Sequence, residues 1–316
     1  EYRDAKRLGR KSRLPEKQRV ILWSIFEKVR TKLQSKKLLT YAEIFTTLAA
    51  HFVKNKKLPF DYVVVDEAQD ISIAQLRFLA ALGEGRPNGL FFAGDLGQRI
   101  FQQPFSWKAL GVDIRGRSRT LRLNYRTSHQ IRMQADRLLG KEISDVDGNV
   151  EDRRGIVSVF NGPKPAIMVC DNHEQEIDTV AKWLVNRINK GTAPHEIGLF
   201  VRSDEQIPRA KAAVEKSKLP YRILDDTVET IGGHVSISTM HLAKGLEFRA
   251  VCVMACDDEI VPLQARIETA GDDAELEEVY NTERHLLYVA CTRARDNLLL
   301  TSGDSASEFV DDLQRL

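Results

Sequence analysis

The stretch Val63-Val64-Val65-Asp66-Glu67-Ala68-Gln69-Asp70 constrains this chain more than any other. Three β-branched residues in a row, after Phe60-Asp61-Tyr62, predict a buried strand of the kind found in parallel sheets, and the strand then breaks into acids. Carboxylates therefore stand at the C-terminal end of a sheet strand, the rim where open α/β sheets bind ligands. In nucleotide-hydrolysing proteins of the P-loop class, an aspartate after such a strand holds Mg²⁺ against the β- and γ-phosphates, and a neighbouring acid can orient the attacking water. Asp66 is the candidate metal ligand and Glu67 the candidate base. The competing reading is that the acids cap a helix expected over Ile71 to Leu82. Two acids, an amide and a third acid exceed what one cap requires.

The chain has 316 residues, enough for two domains with cores of their own. No apolar run approaches 18 residues and no signal-peptide pattern opens the chain, so membrane and secreted classes fall away and a cytoplasmic location is expected. Cys170, Cys252, Cys256 and Cys291 each lie in an apolar stretch with no C-x-x-C pair, which predicts reduced, buried thiols and neither zinc nor disulfides. The net charge of +2 hides an asymmetry: residues 1–57 carry a balance of +11 and the remainder −9. The basic block reads equally as a polyanion track or as a solvated helical face. Glu1 stands where an initiator methionine would, and a piece of a longer protein is the expectation.

Two helices are predicted first. One carries Val20, Ile21, Ile25, Phe26, Val29 and Leu33 at helical spacing, and the other opens on the capping-box pattern Thr40-Tyr41-Ala42-Glu43. Gly89 to Ala93 is a second buried strand, ending in Gly94-Asp95-Leu96-Gly97-Gln98, where Gln98 could reach a terminal phosphate at the rim that carries Asp66. Phe101, Phe105 and Trp107 are interleaved with polar residues; they suit stacking on unpaired bases or covering a core edge, and the residues alone favour the edge. Arg115, Arg117, Arg119 and Arg122 lead to Leu123-Asn124-Tyr125-Arg126-Thr127, which places Arg126 at a strand end before a helix from Ser128 to Leu139. After the turn Asp147-Gly148-Asn149, strands and helices alternate again: strands at 166–170, 197–202, 221–224, 235–241, 250–255 and 298–301, helices at 174–189, 205–217 and 283–295. The acidic segment from Asp257 to Glu278 is expected to be an exposed loop.

Taken together the blocks resemble superfamily 1 DNA helicases of the UvrD/Rep type. Five ordered signatures carry the resemblance over roughly residues 38 to 302: Val65 to Asp70, Gly94 to Phe101, Leu123 to Arg126, Thr239-Met240-His241-Leu242-Ala243-Lys244-Gly245-Leu246-Glu247-Phe248, and Leu287 to Ala294. It implies an α/β fold of two RecA-like parallel-sheet domains, with ATP between them and single-stranded or partly duplex DNA across their tops. Position by position, it implies that Asp66 holds Mg²⁺ and Glu67 activates water. Gln98 and Arg126 would contact the γ-phosphate, Glu247 the ribose, and Arg293 would be the arginine supplied to the transition state. Thr239 and His241 would follow the DNA backbone, and Phe101 matches a base-stacking aromatic. Translocation 3′ to 5′ is likewise implied by the resemblance alone.

Three features depart from the family pattern. No G-x-x-x-x-G-K-[ST] occurs in the chain, and Gly9-Arg10-Lys11-Ser12 is no substitute. Only Asp225 to Gly233 separates Leu224 from Val235, which leaves no room for the usual large inserted domain. Gln103 falls where relatives often carry a second aromatic, leaving Phe105 or Trp107 to stand in. The expectation is therefore the C-terminal portion of an ATP-dependent helicase, whose partner is a P-loop segment of the same protein. Residues 1–58 would be a basic helical accessory segment, 59–120 the end of a truncated first RecA-like domain, and 121–316 the second. The alternative is a non-catalytic nucleic-acid-binding or regulatory protein on a helicase scaffold without its P-loop.

Overall fold

The computed structural model describes residues 15–101, 105–140, 142–153 and 155–314. The basic residues from Arg3 to Arg13, the tetrapeptide at 9–12, and Gln102 and Gln103 lie outside them. The chain forms two compact units, one from residues up to Arg119 together with Ser144–Glu151, the other from Thr120–Ile143 and from Asp152 onward.

In the first unit, α1 (Glu16–Ser35) and α2 (Tyr41–Asn55) precede β1 (Val63–Val65), α3 (Ile73–Gly83) and β2 (Leu90–Phe92). The capping box that opens α2 is formed as expected: Glu43 N donates to Thr40 Oγ1 at 3.2 Å and Thr40 N to Glu43 Oε2 at 2.9 Å. Phe45 and Phe52 of α2 pack on Phe78 of α3. β1 and β2 are parallel, with Val64 opposite Phe91. Alternation sends Val63, Val65, Leu90 and Phe92 into a core with Leu76, Leu79, Phe105 and Leu110. The other face is bare. Val64 is 75% and Phe91 63% exposed, so the strand expected to be buried is covered on one side only. The physical reason is that this sheet has two strands among the described residues, with α3 packed on one face.

The chain then runs through β3 (Leu123–Asn124) and α4 (His129–Ala135) of the second unit, and β4 (Glu142–Ser144) and β5 (Val150–Asp152), paired as a two-stranded sheet, lead into and out of the segment Ser144–Glu151 that belongs to the first. Asp145 holds the intervening turn by accepting from Asp147 N and Asn149 N. Asp147 accepts from Lys108 N at 3.0 Å and from the Ser106 hydroxyl, tying the turn to the segment after Phe105.

The second unit is built on a six-stranded sheet in the order β7-β12-β11-β8-β10-β9, every pairing parallel. Its elements are β6 (Val157–Ser158), which pairs with β3, then β7 (Ala166–Val169), α5 (His173–Asn189), β8 (Ile197–Val201), α6 (Ile207–Lys216), β9 (Tyr221–Ile223), β10 (Val235–Thr239), β11 (Phe248–Val253), α7 (Gln264–Ile267), α8 (Asp273–Thr292), β12 (Ala294–Ser302) and α9 (Glu308–Gln314). Leu199, Val201, Ile237, Ala250, Cys252 and Leu299 from four adjacent strands are fully buried with Val180 and Leu184 of α5 and Val214 of α6. All four cysteines are free and buried, and burial pushes the Cys291 thiol up to about 12.

Two expectations are corrected here. The segment from Asp257 to Glu278 is not an exposed loop: Asp257 and Val261 are buried, α7 lies within it, and α8 begins at Asp273. Its acidity belongs to a helix start, because Asp272 caps α8 by accepting from Glu275 N at 2.8 Å, and Asp273 and Glu275 sit in the positive first turn. The helix expected over Glu283 to Arg295 ends at Thr292. Arg293 is its C-cap and Arg295 belongs to β12, because the Arg293 carbonyl already accepts from Phe248 N and leads the chain into the sheet.

Candidate active site

In the first unit the candidate groups sit where β1 and β2 end side by side. α3 is capped by Ser72, with Gln75 completing the box, so the acids before it are free of the capping role weighed against them. Instead Ala68 N donates to Ala93 O at 2.8 Å, and a short 3₁₀ turn over Ala68–Asp70 follows. Glu67 has φ 50°, a left-handed conformation uncommon for a non-glycine residue and concentrated at functional sites. Asp66 is exposed and its Oδ1 accepts from Glu67 N at 2.8 Å.

One residue joins the two strand ends. Gln69, 7% exposed, donates through Nε2 to Glu67 Oε2 at 2.5 Å and accepts at Oε1 from Asp95 N at 3.0 Å. Asp95 in turn accepts from Gly97 N at 2.8 Å and from Gln98 Nε2 at 2.9 Å. The expected base and the expected phosphate-contacting amide are therefore linked through Gln69 and Asp95, two residues to which the sequence assigned no role. The signal was present: an amide two positions after the acid and an aspartate after Gly94 are the polar types able to bridge two adjacent strand ends.

In the second unit three of the signature segments converge. Arg126 Nε lies 3.0 Å from Glu247 Oε2, both half exposed. Arg293 is 1% exposed, and its guanidinium donates to Val289 O at 3.0 Å and to Leu246 O at 3.4 Å. Thr127 Oγ1 reaches Thr292 O at 3.5 Å, and Ser128 N donates to Arg295 O at 3.0 Å. Arg126, Glu247 and Arg293 thus share one corner of this unit.

The candidates for nucleic acid divide. Phe101 is 54% exposed. Phe105 is buried in the core, and Trp107, partly buried, lies edge-on to Phe92 with ring centroids 5.0 Å apart, so both pack at the edge of that core. Thr239 ends β10 half buried and is followed by a 3₁₀ turn that carries His241. Burial and then the Arg202 charge lower the His241 pKa, which keeps the ring neutral near pH 7. Beneath it Glu283, fully buried, accepts from Arg202 Nε and Nη2 at 2.5 and 2.6 Å and from Arg266 Nη1 at 2.9 Å. Burial alone would raise the Glu283 pKa, but the Arg202 hydrogen bonds and charge, with Arg266, hold it below the usual range.

For a metal, Asp66 offers a hard oxygen suited to Mg²⁺, which takes one or two carboxylates and completes its shell with water and phosphate. Among the described residues no group of three or more His, Cys, Asp or Glu side chains could hold an ion, so a cation here would share its shell with such ligands. None of the described helices is long and apolar enough to cross a membrane.

Residues 4–106 match the model of the UvrD/REP helicase N-terminal domain, and residues 225–305 that of the UvrD-like helicase C-terminal domain. DNA helicase IV of Escherichia coli is 26% identical over 272 residues, 82% of this chain and 36% of that protein. A probable DNA helicase of Mycoplasma pneumoniae is 24% identical over 76% of this chain and 43% of its own length. The putative ATP-dependent DNA helicase YjcD of Bacillus subtilis reaches 48% over 119 residues, 37% of this chain and 14% of that protein. The chain thus spans less than half the length of these relatives. With both domain models matched in order, and the signature residues assembled at strand ends in each unit, this chain belongs to the UvrD-like helicase family.

Proposed function

We propose that this chain is the C-terminal portion of an ATP-dependent DNA helicase that couples ATP hydrolysis to movement on single-stranded DNA. The observation that supports it most is the Glu67-Gln69-Asp95-Gln98 series, which sets a carboxylate and an amide on one hydrogen-bonded frame at the ends of adjacent parallel strands. In the reaction, Glu67 takes a proton from water as its oxygen bonds to the γ-phosphorus, and the bond to the bridging oxygen breaks to release ADP. Gln98 and Arg126 contact the γ-phosphoryl oxygens, Glu247 the ribose, and Arg293 offsets the charge that develops during transfer. Asp66 would hold Mg²⁺, which, when bound, neutralises phosphate charge. Exposed Phe101 stacks on a base, and Thr239 and His241 follow the DNA backbone. The direction is 3′ to 5′ by family pattern.

The chain carries no G-x-x-x-x-G-K-[ST] cradle, and Asp66 and Glu67 act only on phosphates already held in place. The 316 residues alone should bind ATP weakly and turn it over negligibly. Joined to a strand and P-loop segment, they should hydrolyse ATP with strong stimulation by single-stranded DNA. A P-loop-bearing polypeptide that binds DNA and ATP but hydrolyses nothing would favour the non-catalytic scaffold instead.

A further inference from the structure

We propose that Gln69 is the positioning residue of this site: its amide fixes the Glu67 carboxylate and locks it to the backbone that carries Asp95 and Gln98. The proposal rests on the hydrolase reading above, because it gives that reading's base a fixed direction. Three observations carry it. Gln69 is buried at the strand ends, and both polar atoms of its amide are satisfied, Nε2 by Glu67 Oε2 and Oε1 by Asp95 N. Glu67, by contrast, is an exposed side chain on a left-handed backbone, so its direction depends on what grips its end. Finally, a Cβ on Gly94 would lie 2.6 Å from Gln69 Oε1, closer than real contacts allow. Gly94 has no left-handed φ to explain it, so the glycine makes room for this amide and, beside it, for Ala68, whose N and Cβ would lie 3.2 and 3.3 Å from the added Cβ.

The chemistry of the position is specific. Gln69 must donate on one side and accept on the other, and among side chains of this length only an uncharged amide does both. A glutamate there keeps the acceptor for Asp95 N but turns a second carboxylate toward Glu67. A methionine keeps the volume and loses both bonds. An alanine at 94 leaves Gln69 in the sequence but pushes its amide aside.

These three variants separate positioning from mere support of the fold. The measurement is the side-chain order of Glu67, from ¹³C relaxation in the 316-residue chain labelled at glutamate, alongside exchange of the Asp95 amide proton and the melting temperature. The expected result is a rigid Glu67 side chain in the parent that falls into the flexible range, an order parameter below about 0.6, in Gln69→Met, Gln69→Glu and Gly94→Ala. Exchange at Asp95 should speed about tenfold in Gln69→Met, for the loss of one buried hydrogen bond, and stay unchanged in Gln69→Glu. A Glu67 side chain equally ordered in the parent, Gln69→Glu and Gly94→Ala, whatever the melting temperatures do, overturns the proposal. If Gln69→Met does not fold, the other two variants still decide. The hydrolase reading fails on a different result, a P-loop-bearing polypeptide with an ordered Glu67 that hydrolyses no ATP.

Discussion

The β1–β2 sheet of the first unit and the six-stranded sheet of the second are built from similar sequence and buried to different degrees. Val63–Val65 in the first unit and Ile197–Val201 in the second are both short apolar runs that end in polar residues at a strand's C-terminus. The second is buried at every position, with strands on both sides and helices α5 and α6 in its core. In the first, the central Val64 is open to solvent. A strand's composition fixes its tendency to be a strand; its neighbours fix how many of its faces are covered. The polar rims differ in the same sense. Glu283 and Arg202 at the second sheet are a buried pair, while Asp66 and Glu67 at the first are exposed, and the Glu67 carboxylate accepts from the buried amide of Gln69.

Removal of one partner of the buried pair should have the largest effect. Glu283→Ala leaves Arg202 charged and buried, and should lower the stability of the second unit by about 3–5 kcal/mol in urea unfolding. A loss of the size seen for exposed ion pairs would erase the contrast between the rims. The same pair has a pH signature. The folded Glu283 pKa is depressed below its value of 4.5, so its contribution is fully present above about pH 4.5 and is lost as the pH falls through the folded value. Acid unfolding of Glu283→Gln should lack that component.

Next in size are the aromatics after β2. Phe101→Ala should weaken binding to single-stranded DNA by about 1–3 kcal/mol with little change in melting temperature. Phe105→Ala should do the reverse, destabilising the first unit while leaving intact chains with near-parent affinity, because its ring is in the core. Equal losses of DNA affinity would return Phe105 to the binding surface. The smallest effect belongs to Val64→Ser, expected within about 0.5 kcal/mol of the parent because the side chain is already in water. A cost of 2 kcal/mol would mean that the bare face is covered in solution.

Much of this was legible in the sequence, for identifiable reasons. The helix start at Thr40 was readable because a capping box is local chemistry, and the parallel strands of the second unit because apolar runs alternate with helical periods. The extent of α8 was missed because acids in a first turn look like acids in a loop until the cap at Asp272 is seen. Arg295 fell in a strand because a backbone bond from Phe248, far away in sequence, ends the helix three residues sooner, at Thr292. At the site, Asp66, Glu67 and Gln98 announce themselves by type and position. The role of Gln69 depends on a contact 26 residues away, which spacing alone does not reveal.

The central claim is that Glu67 is the base of a nucleotide-hydrolysing site, and its most direct test is Glu67→Gln in the polypeptide joined to a P-loop segment, assayed for DNA-stimulated ATP hydrolysis. The substitution keeps size and hydrogen-bonding reach and removes the proton acceptor. The account predicts a fall in kcat of about 10² or more with KM for ATP little changed. A kcat within about twofold of the parent would contradict it.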